Sequence, residues 1–237
     1  MEKMTIGNIN VDVERKKIKN VHLSVYPPAG RVRISAPLRM DLETIRIYTI
    51  SKMSWIRKQQ KKFLEQKREA PRDYVARESH YYMGNRYLLK VVEQDAPPQV
   101  TIKHETIEMY IRPNASKEKR QEVLDEWYRQ SLKDMAPDII ARYEKIMKVN
   151  VSEFGIRKMK TRWGTCNRQA KRIWLNLELA KKPKHYLKYI IIHEMVHLLE
   201  RNHSDCFIVY MDKFMPQWRQ YKKELNRSVL SQERWTY

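Results

Sequence analysis

The sequence predicts an α+β fold, and three observations carry that expectation. Short stretches of alternating apolar and polar residues fill the first 40 positions and recur between Tyr81 and Ile111. Helical spacing of apolar residues runs from Ser116 to about Lys148. The segment from Lys184 to Glu200 is apolar on nearly every side, the pattern of a helix buried in a core.

Along the chain, Val21, Leu23 and Val25 alternate with polar neighbours, and Val32 and Ile34 repeat the pattern after Pro27-Pro28-Ala29-Gly30, a hairpin turn signal. Asp41 is a plausible N-cap, and one helix is expected from there through Ile45, Ile50, Met53, Trp55 and Ile56 to about Glu69, before Pro71. Trp55 and Phe63 are its expected anchors. A second β-rich stretch follows, with strands at Tyr81–Met83, Tyr87–Val92, Val100–Ile102 and Ile107–Ile111, separated by Gly84-Asn85 and Pro97-Pro98 and ending at Pro113-Asn114. In the long helix Val123, Trp127, Leu132, Met135, Ile139, Ile140, Tyr143 and Ile146 are the apolar positions, and Pro137 is expected to kink or divide it. Ile173, Leu175, Leu177 and Leu179 alternate with Trp174, Asn176 and Glu178 as a half-buried strand would, and Pro183 stands where a helix can start. No internal repeat is apparent. The expected division is a β-rich N-terminal region over 1–113, with its basic helix at about 41–69, and a second part over 114–237, the two possibly forming one continuous domain.

Composition narrows the function classes. Two cysteines, Cys166 and Cys206, are too few for a disulfide framework and too far apart for a metal-binding pair, so both are expected as reduced thiols. The start, Met1-Glu2-Lys3-Met4-Thr5-Ile6-Gly7, lacks the features of a secretory signal, and the apolar cluster Tyr189–Ile192 falls far short of the roughly 20 residues of a membrane span. A cytoplasmic protein is the expectation. A formal net charge of +20 favours encounters with polyanions without naming one. Basic residues concentrate between Arg46 and Arg72, which reads either as a solvated helix face or as a contact surface for nucleic acid or nucleotide.

The chemistry lies in His193-Glu194-Met195-Val196-His197. Residues four apart on a helix differ by about 40° around its axis, so His193 and His197 project from nearly one face and can hold one cation. Glu194 lies about 100° from His193, within reach of a water on that cation, and its natural role is general base. Three polar side chains among Ile190, Ile191, Ile192, Met195, Val196, Leu198 and Leu199 cost several kcal/mol if unpaired. A cation supplies the partner, and neutral imidazoles suit zinc, Zn2+. His203, six residues after His197 and beyond a helix end expected at Arg201-Asn202, can return to the metal as third ligand if Asn202 reverses the chain in a left-handed conformation. The spacing HExxHxxxxxH matches the metzincins, but Glu200 occupies their glycine position and Met215 lacks the setting of a Met-turn. Chance produces one HExxH in roughly 1 of 60 chains of this composition, and the third histidine lowers that to about 1 in 2000. His22, His80 and His104 have no such partners, whereas His185 opens the motif helix and has the chance to face the cleft.

At these residues the sequence resembles the YgjP-like (DUF45) family of metal-dependent hydrolases and, more distantly, the SprT and Wss1-like metallopeptidases. The motifs that carry the resemblance are Arg162-Trp163-Gly164-Thr165-Cys166, His193-Glu194-Met195-Val196-His197 and Asn202-His203-Ser204, with Arg31–Pro37, Ser54-Trp55-Ile56-Arg57 and Tyr82-Met83-Gly84-Asn85-Arg86-Tyr87 extending it. The resemblance implies a zincin-like C-terminal part, its HExxH helix packed on a small, mainly antiparallel sheet. It also implies zinc on His193, His197 and His203 with Glu194 as catalytic base, in agreement with the residue reading.

A zinc metallopeptidase acting on a peptide or protein substrate is the expected activity. The strand Arg172–Glu178 would either align an extended peptide as an edge strand or simply pack the motif helix, and Tyr186, Arg201 and Tyr210 are the candidate oxyanion stabilisers. The rivals are a metal-dependent nucleotide phosphohydrolase, without a Gly-rich phosphate loop to support it, a DNA-associated protease, and a nucleic-acid-binding module with a structural zinc. A fourth protein ligand would favour structural zinc and an open position would oppose it.

Overall fold

The computed structural model describes residues 2–26, 29–65, 72–159 and 162–227. The chain falls into two compact units, Met1–Glu69 and Ala70–Ser231. The division lies well before the expected one at residue 113. Its cause is packing: Leu89, Ile107, Met109 and Ile111 of the second β-rich stretch share one core with Leu124, Tyr128 and the motif helix.

The first unit contains β1 (Glu2–Ile6), β2 (Ile9–Lys16), β3 (His22–Tyr26), β4 (Arg31–Pro37), α1 (Leu42–Ser51) and α2 (Met53–Glu65). Its sheet runs β1-β2-β4-β3, with the central β2–β4 pair parallel and both outer pairs antiparallel. Alternation does what it predicts, because Val11, Val13, Val32 and Ile34 all face one core with Ile45 and Ile56. Asp41 caps α1 by accepting from the Thr44 N–H. The single helix expected after Asp41 is two helices, broken at Lys52. An unbroken helix would continue the buried stripe Ile45, Thr49 and Ile56 through position 52, and the break leaves the Lys52 ammonium exposed, 5.9 Å above the Tyr48 ring. Ile56 rather than Trp55 anchors α2, since Ile56 is fully buried and Trp55 is 43% exposed. The expected end of this helix, near Glu69, lies outside the described residues.

The second unit begins with β5 (Ser79–Tyr82), β6 (Asn85–Glu93), β7 (Gln99–Lys103) and β8 (Thr106–Ile111). They form a sheet of order β5-β6-β8-β7 with a parallel centre and antiparallel flanks, the same order and sense as in the first unit. A four-stranded sheet followed by helix thus occurs twice, which corrects the expectation of no repeat. Sequence hides it because strand alternation is satisfied by many residues. One trace survives in the first turn of each sheet, where Gly7-Asn8 and Gly84-Asn85 stand and both glycines take positive φ, 58° and 86°.

Helix α3 (Lys117–Met147) follows and runs unbroken through Pro137. An interior proline costs about 3 kcal/mol. Burial of Leu124, Tyr128, Leu132, Ala136, Ile140, Tyr143 and Met147 along one stripe offsets it. Then come β9 (Glu153–Arg157), β10 (Gly164–Asn167) and β11 (Arg172–Asn176), a 3-10 turn (Leu177–Lys181), α4 (Lys184–Leu199), α5 (Asp205–Phe214) and α6 (Trp218–Arg227). The order β10-β11-β9 makes β11 the central strand, parallel to β9 and antiparallel to β10, so it is not the edge strand considered above. The edge beside α4 is β10, and this small sheet is mixed rather than mainly antiparallel. The expected strand 172–178 also ends at Asn176, whose side chain accepts from the Glu178 N–H and starts the 3-10 turn. Among the described residues no helix is long and apolar enough to cross a membrane.

His80 on β5 is 1% exposed, and its Nε2 has no hydrogen-bond partner, the nearest carboxylate oxygen of Glu78 being 3.8 Å away. Burial, reinforced by the charges of Arg72 and Lys181, pushes its pKa down to about 3. The unfolded chain therefore takes up this proton more readily, and the stability that neutral His80 supports is lost as pH falls from about 6.5 towards 3. Melting temperature measured across that window should fall less steeply for His80→Phe than for the parent. Parallel profiles would show that His80 does not contribute.

Candidate metal centre

Helix α4 begins after Pro183 and buries Leu187, Ile190, Ile191, Ile192, Met195 and Val196 against β10, β11, α3, α5 and α6. This enclosure fixes the directions of His193, Glu194 and His197. The helix stops at Leu199, and the chain leaves through Glu200 in extended conformation rather than through a left-handed Asn202. The Glu200 N–H donates to Val196 O and the Glu200 carboxylate accepts from the Asn202 N–H, so the turn needs no positive φ. Ser204 then caps α5 by accepting from the Phe207 N–H, and His203 is delivered just before it.

One ring nitrogen from each of His193, His197 and His203 lies within 4.8 Å of the others. His203 Nε2 and His193 Nε2 are 3.2 Å apart. Tetrahedral zinc at about 2.0–2.1 Å from each imidazole nitrogen sets those nitrogens about 3.3 Å apart, so this pair already has the spacing a cation requires. His197 Nδ1 lies 3.1 Å from the Glu200 carbonyl oxygen, which can only accept, so Nδ1 carries the proton and Nε2 keeps its lone pair for a ligand. Burial and the charges of His197, His203 and Lys222 push His193 down to about 3, and burial also lowers His203. Both rings are neutral at pH 7, the form that binds a metal. Phe207, which sequence reasoning missed, backs all three rings at centroid distances of 5.0, 4.8 and 4.6 Å.

Glu194 is 5% exposed, and burial pushes its carboxyl up to about 8 against the pull of the Arg162 guanidinium. That carboxyl meets β10 at Gly164. A Cβ there would lie 2.8 Å from Glu194 Cγ and Oε1 and 2.8 Å from Ile190 Cγ2, so only glycine lets the strand approach this closely. Fully buried Asn176 holds the segment leading into β10: its Nδ2 donates to the carbonyls of Met159 and Arg162, both at 2.7 Å, and its backbone N–H donates to Trp163 O. Sequence alternation assigns Asn176 to a solvent-facing position. The structure makes it the tie between β11 and the cleft wall.

The three histidines and Glu194 open onto a cleft of about 1050 Å³, lined also by Arg162–Gln169, Tyr189, Arg201 and Lys222. Of the oxyanion candidates only Arg201 lines it. The Tyr186 hydroxyl donates to Glu224 at 2.9 Å, and Tyr210 stacks on Phe214. His185 packs against Tyr186 and Tyr221 rather than lining the cleft. Tyr189 does line it, and burial beside Glu194 raises its pKa, so the hydroxyl remains a donor. Its place one turn before His193 was a signal that spacing offered. Both cysteines are free, and burial pushes the Cys166 thiol up to about 11, which keeps it protonated.

The residues from just before β3 to the end of α6 match a metallopeptidase domain, which makes the chain a metal-dependent hydrolase of peptide bonds. It belongs to the YgjP-like family: residues 19–228 match the description "YgjP-like, metallopeptidase domain". No curated protein matches the chain. Among solved structures it is similar to the metallopeptidase zymogen of Pyrococcus abyssi abylysin, with 21% identity, 40% of this chain and 100% of that chain covered, and a TM-score of 0.36. It is likewise similar to the metallopeptidase zymogen of Methanocaldococcus jannaschii jannalysin, with 21% identity, 37% and 90% covered, and a TM-score of 0.34.

The Gly164 contact makes a prediction that separates metal retention from activity. Gly164→Ala should displace the Glu194 carboxyl and lower peptide hydrolysis about 100-fold, the scale of a misplacement near 1 Å, while the bound metal per chain stays near the parent value. Unchanged hydrolysis in a folded variant would mean that Glu194 tolerates the shift.

Proposed function

We propose that the chain is a zinc-dependent peptidase of the HExxH type, with zinc held by His193, His197 and His203 and Glu194 as general base. The observation that carries this reading is the convergence of three imidazoles beside one buried carboxyl at an open cleft. Among the described residues the ligand cluster has three donors and no fourth, which favours a catalytic over a structural role. Zinc, when bound, supplies Lewis acidity that lowers the pKa of water towards about 7 and polarises a carbonyl. Glu194 takes the proton of the attacking water and delivers it to the leaving amine. A carboxyl raised to about 8 by burial is suited to holding that proton between the two steps, and a cation alongside restores its readiness to ionise. Strand β10 offers its free edge, Gly164–Asn167, to an extended peptide, whose main chain would pair with it while alternate side chains enter the cleft. Tyr189 and Arg201 are the donors in place for the oxyanion.

Zinc-loaded protein incubated with a peptide library should give Glu194-dependent cleavage, and Glu194→Gln should lower the rate 10²- to 10⁴-fold or about that range while binding equimolar zinc. His203→Ala should instead weaken metal binding, measured by competition with a chromogenic chelator. Hydrolysis that survives intact in Glu194→Gln would remove the base assignment.

A further inference from the structure

We infer that the cleft selects peptides carrying acidic side chains on both sides of the scissile bond, a substrate class that rests on the peptidase reading above. Four cations line it, each from a different part of the second unit: Arg162 before β10, Arg168 in the turn after it, Arg201 after α4, and Lys222 on α6. Among the described residues the only carboxylate in the lining is Glu194. All four cations are exposed, and among the described residues none forms an ion pair. Some cations elsewhere in the second unit are matched, as Lys90 and Lys103 are by Glu108, Lys158 by Asp125 and Lys181 by Glu178. In the cleft, among the described residues, four cations face a single carboxylate.

The cations reach the cleft from different elements packed on α4: Arg162 from just ahead of β10 and Lys222 from α6. Arg168 donates to Leu199 O at 3.4 Å, across the C-terminal end of α4, and Lys222 lies 5.4 Å from the Trp218 ring, so both are partly held in place. A concave wall with one sign of charge focuses its field and raises the local concentration of oppositely charged substrate. An extended peptide along β10 presents alternate side chains to the cleft, and carboxylates before and after the scissile bond meet cations at both ends. Lysine or arginine at those positions would be repelled by the same groups.

The test uses zinc-loaded full-length protein and three peptide sets of equal length, with Asp/Glu, Ala/Gln or Lys/Arg around a common central sequence. The expected result is kcat/KM at least about tenfold higher for the acidic than for the basic set, the difference shrinking as salt rises. Arg168→Glu and Lys222→Glu, each confirmed as folded by melting temperature, should reduce or invert that ratio. Equal kcat/KM for all three sets, with cleavage still dependent on Glu194, would overturn the acidic preference and leave the peptidase reading standing. Absence of any peptide cleavage would overturn both. Glu194-dependent hydrolysis of a nucleoside triphosphate in its place would assign the cations to phosphate and equally overturn the inference.

Discussion

The approach of strand β10 to helix α4 is the contact on which the candidate site depends. Gly164 lies where any Cβ would press on Glu194, and that absence of a side chain lets a strand edge, a buried carboxyl and three imidazoles share one small region. Burial then follows for Glu194, and burial is what lifts its carboxyl from the ordinary range to about 8. The approach is not a property of the strand alone. Asn176, donating to the carbonyls of Met159 and Arg162, ties both residues to the end of β11. A polar residue at 0% exposure is expensive unless satisfied, and here two of the bonds that satisfy it accept at the carbonyls of Arg162 and Trp163, residues that line the cleft.

The metal motif was legible because its chemistry imposes residue types at fixed spacing on an element whose period is known. His193, Glu194 and His197 need only helical geometry, and His203 needs only a short return of chain. The partners that shape the site were not legible in the same way. Gly164 and Phe207 act through distances between elements, which no local period records, and Asn176 acts against its own alternation because β11 is central and covered on both sides. Tyr189 is the intermediate case, since its spacing from His193 was visible but the cleft it lines was not. Strand and helix positions were largely readable, whereas the break at Lys52 and the continuity through Pro137 were decided by which side chains the cores could accept.

The repeated sheet order clarifies what the fold supplies and what it does not. Both units build a sheet with a parallel central pair and antiparallel flanks, and in both a capped helix follows the last strand, at Asp41 and at Ser116. Only the second unit continues into β9–β11 and α4, and the clustered histidines and Glu194 lie in and just after α4. In the second unit the sheet and α3 contribute Leu89, Ile107, Met109 and Leu132 to the core that surrounds α4. A helix apolar on nearly every side requires such a core, because exposing its faces to water would cost on the order of 25 cal/mol for each Å² of apolar surface.

Charge in the cleft and charge over the chain answer different questions. The formal +20 makes the whole chain attractive to anions at long range, but an exposed lysine that faces a carboxylate contributes little to a local field, and salt screens what remains. Arg162, Arg168, Arg201 and Lys222 differ because they share one concavity with a single carboxyl, itself drawn toward the neutral form by burial. The four cations outnumber that carboxyl in either of its protonation states, so the cleft stays positive around it.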